Sequence, residues 1–259
     1  MKQLMTALAI TASLFSAGQA LAQAEKPTVV LVHGAFADAS SWNGVIRILE
    51  QDGYPVVAVA NPLRSVAADG AAVSAVIGQI STPVVLVGHS YGGSVISAAA
   101  NGHANVSALV YVAAITPDAG ETVAGLAGKF PGSTLGPALA APVPLADGGK
   151  DLYVQQARFH QQFAADVPAA QAAVMAATQR PITDAALNEP SGEPAWKHIP
   201  SWYIYGDQDR NIPPQSLAFM ARRAHGKAVQ VIKGASHVVM ISHPEAVARM
   251  VEKAAAGQS

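Results

Sequence analysis

A chain of 259 residues, 51% hydrophobic and only 13% charged, is long enough to bury a substantial core and too apolar to be a disordered linker. Its 16 Lys plus Arg stand against 17 Asp plus Glu, a net charge of -1 with no block of like charge, which leaves no electrostatic footprint for nucleic acid or an anionic membrane surface. The absence of cysteine removes any disulfide framework and any thiolate metal site.

Residues 1–24 carry the three-part pattern of a secretory signal peptide. Lys2 gives a short positive start, and Leu4 to Phe15 is mostly apolar but too short to span a bilayer. Small residues at Ala20-Leu21-Ala22 and at Ala22-Gln23-Ala24 allow cleavage after 22 or after 24. The expectation is an exported protein, periplasmic or secreted, whose residues 25–259 form a single domain. No later segment reaches about 18 uninterrupted apolar residues, so no membrane span is expected.

From Thr28 onward, β-branched runs alternate with Ala-rich stretches. Thr28 to Val32 reads as a strand, Ser41 to Gln51 as a helix, Val56 to Ala60 as a strand and Val66 to Ile80 as a helix. A strand at Val84 to Val87, a helix at Gly92 to Asn101 and a strand at Val106 to Ala113 continue the rhythm. Most of these strands are apolar throughout instead of alternating, as expected where a parallel sheet is covered on both faces. From Thr116 to about Ala195 the strand signal disappears and Ala, Pro and Gly crowd in, as in "KFPGSTLGPALAAPVPLADGG" at 129–149. The next stretch, "DLYVQQARFHQQFAADV" at 151–167, reads as helical, so 116–195 is expected to be a cap insert, mainly helical after Asp151. The rhythm then resumes with strands at Ser201 to Tyr205 and Ala228 to Ile232 and helices at Pro214 to Ala224 and Pro244 to Ala255. The fold class expected is α/β, a mostly parallel sheet of about six strands flanked by helices.

The stretch "VVLVGHSYGG" at 84–93 ends an apolar strand on a serine fenced by Gly88 and Gly92 and runs on into a small-residue helix. Gly-x-Ser-x-Gly is a weak signal alone, but a strand-turn-helix setting is the context of a nucleophile elbow. There Ser90 would sit at a helix N-terminus, where the dipole favours an oxyanion. A serine hydroxyl needs a base within hydrogen-bond reach, itself oriented by an acid, in the chain order Ser, Asp or Glu, His. "SWYIYGDQDRNIP" at 201–213 ends a strand on Asp207 and Asp209, and "VQVIKGASHVVM" at 229–240 ends the last strand on His237. All these strand ends fall at the carboxyl edge of a parallel sheet, where open α/β folds bind ligands. A Rossmann dehydrogenase shares the rhythm, but "GHSYGG" is not Gly-x-Gly-x-x-Gly and no Tyr-x-x-x-Lys pair occurs.

With these motifs the chain resembles the α/β-hydrolase superfamily from about Thr28 to Ala255. Within it the small plant-type esterases and hydroxynitrile lyases, with their bacterial esterase relatives, are the nearest likeness; the likeness is weakest across the insert. In that family the acid lies shortly after a strand-ending Gly and before a Pro. Gly206, Asp209 and Pro213 match, which favours Asp209 over Asp207, with Asp118 after the preceding strand as a rival. His237, shortly after Gly234, matches the base, with His243 as its competitor. "LVHGAFADASSW" at 31–42 resembles the family's His-Gly motif, which implies an oxyanion hole made by the backbone N–H groups of Ala35 and Tyr91. His33 is expected to brace this loop, His89 to be structural and to point away from the serine, and Phe36 and Trp42 to be pocket wall or core.

The resemblance implies a serine esterase acting on a small-molecule ester and using no cofactor and no metal; the modest insert and the absence of a charged cluster near the motifs point to a small or medium carboxylic ester with an apolar acyl or aryl group. Phe130, Tyr153, Phe159 and Phe163 of the insert are its possible pocket lining. Hydroxynitrile lyase chemistry is the alternative on the same triad, but such lyases have Thr in place of Gly34 and Lys in place of Val238. Perhydrolase activity and a non-catalytic ligand-binding protein on the same fold remain further alternatives. Oligomeric state is not readable from the sequence.

Overall fold

The computed structural model describes residues 25–259, so the signal segment expected over 1–24 lies outside the described residues. Strands β1 (Thr28–Val32), β2 (Val56–Val59), β3 (Val84–His89) and β4 (Val106–Val112) alternate with helices α1 (Asn43–Gln51), α2 (Val66–Ile77) and α3 (Gly92–Ala99). Helix α1 begins later than the sequence suggests because Ala39–Trp42 forms a separate 3-10 turn, started by the Asp38 side chain accepting the Ser40 N–H. Ser65 caps α2 by accepting the Ala68 N–H, a satisfaction of orphan amides that tells the chain where to start a helix.

The interval after β4 departs from expectation. It contains α4 (Val123–Ala127), α5 (Leu135–Ala138), β5 (Val143–Pro144), β6 (Lys150–Leu152), α6 (Gln156–Phe163), α7 (Ala169–Thr178), β7 (Ile182–Thr183) and α8 (Asp184–Asn188). Helices dominate, but β5, β6 and β7 form a small antiparallel sheet that the sequence reading lacked. Asp151 and Leu152 were expected in a helix and are instead paired with Thr183 and Ile182. The reason is tertiary: the Arg64 guanidinium, 2.7 Å from the Asp151 carboxylate, draws this segment to the body of the protein, and the helix starts only at Gln156.

Beyond the insert come β8 (Ser201–Gly206), α9 (Pro214–Arg223), β9 (Ala228–Ile232), α10 (Val239–Ser242) and α11 (Pro244–Ala255). The six-stranded sheet has the order β2-β1-β3-β4-β8-β9, and every neighbouring pair is parallel. Helix α2 packs beside α3 and α1 beside α11, forming the layers that flank the sheet. Strands β1, β3 and β8 are buried along their whole length, whereas the edge strand β9 exposes Val229 and Val231. That difference explains why the inner strands are continuously apolar. Succession reverses direction at β1, which pairs with β2 on one side and β3 on the other. A crevice therefore opens beyond the carboxyl ends of β1 and β3, the place where open α/β sheets hold their ligands.

Candidate active site

Ser90 follows β3 directly and has a positive φ of 54°. A non-glycine residue in this region carries on the order of 1–3 kcal/mol of strain, so its surroundings must enforce the conformation. Val112 accepts the Ser90 N–H at 3.3 Å and the Ser90 carbonyl accepts the Ile115 N–H at 3.0 Å. The flanking glycines are required by close approach: a Cβ on Gly88 would lie 2.6 Å from the Gly92 carbonyl oxygen, and one on Gly92 would lie 2.6 Å from that of Val32. The turn is as tight as the spacing of glycines around Ser90 suggests.

The loop after β1 passes directly over this turn. A Cβ on Gly34 would stand 2.6 Å from Ser90 Cβ and 3.2 Å from the Tyr91 nitrogen, so the loop that carries Ala35 lies against the turn that carries Tyr91. Among the described residues, neither of those N–H groups is engaged by a protein acceptor. His33 braces the loop, as expected. Its Nε2 accepts the Asn61 N–H at 3.1 Å, which places the ring proton on Nδ1, where it donates to the Gly34 carbonyl at 3.0 Å. Burial holds the His33 pKa below the usual imidazole range, in keeping with this neutral tautomer.

Asp209 and His237 come together from the ends of β8 and β9. His237 Nδ1–H donates to Asp209 Oδ2 at 2.7 Å, and both side chains are shut off from solvent. The other carboxylate oxygen, Oδ1, accepts the N–H groups of Asn211 at 2.8 Å and Ile212 at 3.0 Å. Those bonds fix the carboxylate, and the carboxylate orients the imidazole through Nδ1, leaving Nε2 as the other ring nitrogen. Gly206 allows the crossing, because a Cβ there would fall 2.1 Å from the Ala235 carbonyl oxygen of the histidine loop. The competing residues are engaged elsewhere. Asp207 accepts the Gly234 N–H at 2.7 Å, Asp118 pairs with Lys197 at 2.7 Å, and His243 Nδ1 bonds the Ser242 hydroxyl at 2.9 Å.

Ser90, Ala35, Tyr91 and His237 line one cavity of about 300 Å³, with Asp209 behind the imidazole. Its remaining wall is largely apolar, built by Val123, Leu135, Leu139, Phe163, Leu187 and Ile212. A larger, more polar cleft of about 520 Å³ lies on the far side of Phe36 and contains none of the four. Reactive groups, not volume, mark the smaller space as the candidate site.

Of the aromatic residues considered as lining, only Phe163 and Phe36 reach this cavity. Phe130 packs on Phe219 at 5.9 Å between centroids, and Phe159 lies buried behind Phe163 at 4.9 Å. Tyr153 is likewise outside the lining, and Trp42 is core. His89 points its ring to the histidine loop: Nε2–H donates to the His237 carbonyl at 3.1 Å and the two rings are 4.7 Å apart. Burial pushes its pKa well below the usual imidazole range. Sequence reasoning missed Asn211 and Ile212, although both stand beside Asp209 in "GDQDRNIP". It also missed Asp69, whose signal was a lone carboxylate within "VAADGAAV".

The family model described as "Alpha/beta hydrolase family" matches residues 29–250. The chain is 28% identical over 250 residues to the alpha/beta hydrolase nvfD of Aspergillus novofumigatus, covering 89% of this chain and 97% of that one. Among solved structures it is similar to polyneuridine aldehyde esterase, with 19% identity, a TM-score of 0.77 and coverage of 88% of this chain and 98% of that one. It is also similar to the methylesterase MES16 from Arabidopsis, with 16% identity, a TM-score of 0.73 and coverage of 89% of this chain and 99% of that one. At these identities the two solved structures establish a shared fold.

Proposed function

The chain belongs to the alpha/beta hydrolase family, and we propose that it is a serine hydrolase cleaving small or medium carboxylic esters. In this reading Ser90 Oγ attacks the ester carbonyl while His237 Nε2 takes its proton, and Asp209 stabilises the imidazolium by holding Nδ1–H. The Ala35 and Tyr91 amides receive the developing oxyanion, where each such donor is worth about 2.7–4 kcal/mol of transition-state stabilisation in comparable chemistry. The protonated His237 then returns its proton to the leaving alcohol, and water releases the acid from the Ser90 acyl-enzyme by the same steps in reverse. All proton movements pass through one nitrogen, Nε2.

The observation that carries this reading is the buried 2.7 Å bond between His237 and Asp209 at the wall of a cavity that also holds Ser90 on a strained turn. An apolar space of about 300 Å³ supports an apolar acyl or aryl group on the substrate. Hydrolysis is favoured over hydroxynitrile lysis because a side chain at Gly34 would press against Ser90 Cβ at 2.6 Å, leaving no room in this backbone for the Thr of such lyases. We also retain export as part of the proposal, on the strength of residues 1–24, to be tested by N-terminal sequencing of the protein recovered outside the cytoplasm.

A chain-length series of nitrophenyl esters, run with fluorophosphonate labelling, tests the function. Turnover of the shorter esters and covalent modification of the native protein, both lost in Ser90→Ala, are expected. Equal inactivity towards every ester, with the variant indistinguishable from the native protein, overturns the proposal.

A further inference from the structure

Asp69 is a fully buried carboxylate in the first turn of α2 that takes no part in the mechanism above. A buried carboxylate is costly unless its oxygens are satisfied. Both are: Oδ2 accepts the Tyr91 hydroxyl at 2.8 Å and Oδ1 accepts the Arg64 N–H at 3.1 Å. Two apolar side chains would fill the same space between α2 and α3 without that cost, so the pair points to a demand other than packing.

The demand is at the other end of the tyrosine. Tyr91 directly follows Ser90 and lines the candidate site, and among the described residues its N–H has no protein acceptor. The Ser90–Tyr91 peptide emerges from the strained turn at Ser90. Any relaxation of that turn rotates the peptide plane and re-aims its amide, swinging the Tyr91 side chain with it. A phenol tied at its tip to a neighbouring helix resists such rotation. Helix α2 is itself held tightly, since a Cβ on Gly70 would approach Ala98 Cβ of α3 to 3.2 Å.

We infer that Asp69 is a positioning residue for ester cleavage: by anchoring the Tyr91 hydroxyl it holds the Tyr91 amide on the oxyanion. The anchor continues into the insert. Arg64, whose N–H satisfies Asp69, directs its guanidinium to Asp151 at 2.7 Å and to the Pro181 carbonyl at 2.9 Å, and the Glu189 carboxylate accepts the Val66 N–H at the start of α2. The clamp thus joins the cap to the turn at Ser90.

The test is Tyr91→Phe, which removes one oxygen and keeps the ring, compared with Asp69→Ala and the double variant. Four quantities are read: kcat and KM on a nitrophenyl ester, the affinity of an aryl trifluoromethyl ketone that forms a tetrahedral adduct on Ser90, and the affinity of the product carboxylic acid. The expected result for Tyr91→Phe is a kcat lowered about tenfold, ketone binding weakened by a similar factor, and KM and acid binding within about twofold, because only the transition state loads the amide. The double variant should match the worse single variant, since both act through one bond. If Asp69→Ala does not fold, Tyr91→Phe alone decides. A folded Tyr91→Phe enzyme with kcat within twofold of the native value, equal losses in ketone and acid binding, or multiplicative losses in the double variant would each overturn the inference. The inference rests on the esterase reading: a native protein that turns over no ester fails that reading, whereas an active one indifferent to Tyr91→Phe fails only this one.

Discussion

Gly34→Ala is the sharpest perturbation of the proposed oxyanion hole, because it adds one carbon where two chain segments touch. The new Cβ would stand 2.6 Å from Ser90 Cβ, 2.7 Å from the His89 carbonyl oxygen and 3.2 Å from the Tyr91 nitrogen. Carbon atoms rest at about 3.5–4.0 Å, so the loop after β1 and the turn after β3 must separate by about 1 Å. Overpacking of this kind costs about 1–3 kcal/mol of stability. The kinetic consequence is larger, because the parting segments carry the Ala35 and Tyr91 amides, which must converge on one oxygen. A misplacement of about 1 Å is worth about 100-fold in rate. The assay is kcat and KM on nitrophenyl butyrate with a parallel thermal melt. Gly44→Ala serves as the control: its Cβ would press on Pro244 at 2.9 Å, away from Ser90, so it should lower the melting temperature while leaving kcat nearly native. A folded Gly34→Ala enzyme with kcat within threefold of native would refute the placement of the oxyanion hole.

Asp209→Asn keeps the shape of the side chain but removes the charge that holds Nδ1–H on His237; kcat should fall about 10³ to 10⁴-fold with little change in melting temperature. Retention of a tenth of the activity would assign the orienting role to another group. Gly206→Ala places a methyl 2.1 Å from the Ala235 carbonyl and must displace the histidine loop, so ester turnover should drop far more than fluorescence-detected folding does; full activity in the folded variant would contradict the packing. Burial lowers the pKa of His33 and His89 below that of an imidazole in the unfolded chain, about 6.5, so as pH falls through that value the unfolded chain takes up its protons first. The unfolded state therefore binds more protons, and stability present above about pH 6.5 is lost as pH falls, by up to about 1.4 kcal/mol per unit for each histidine until the folded-state pKa is reached. Imidazole signals of His33 and His89 in an NMR titration should show protonation midpoints below that of a free imidazole; a midpoint at the ordinary value for either would disprove the shift.

The inner strands could be read residue by residue because their signal is local. Burial on both faces favours side chains that are apolar throughout, and Thr28–Val32 coincides with the run picked out by composition. The glycines around Ser90 were legible for the same reason, since a turn that admits no Cβ leaves its mark in adjacent positions. The insert was not. Asp151 belongs to a strand because Arg64, far away in sequence, binds it and Thr183 pairs with it. Nothing within 151–167 records either partner.

Chain order and motif spacing by themselves nominated Ser90, His237 and the pair Asp207 and Asp209, because each is marked by its immediate neighbours; resemblance to the α/β-hydrolases favoured Asp209 and implied Ala35 and Tyr91. Only the tertiary structure decided that Asp209, and neither Asp207 nor Asp118, carries the imidazole, that His89 grips the His237 backbone, and that Asp69 holds Tyr91. Those choices rest on contacts between residues 22 to 148 positions apart. A hydrogen bond between distant segments exists only after the sheet has set their directions, so it leaves no pattern in the order of the residues.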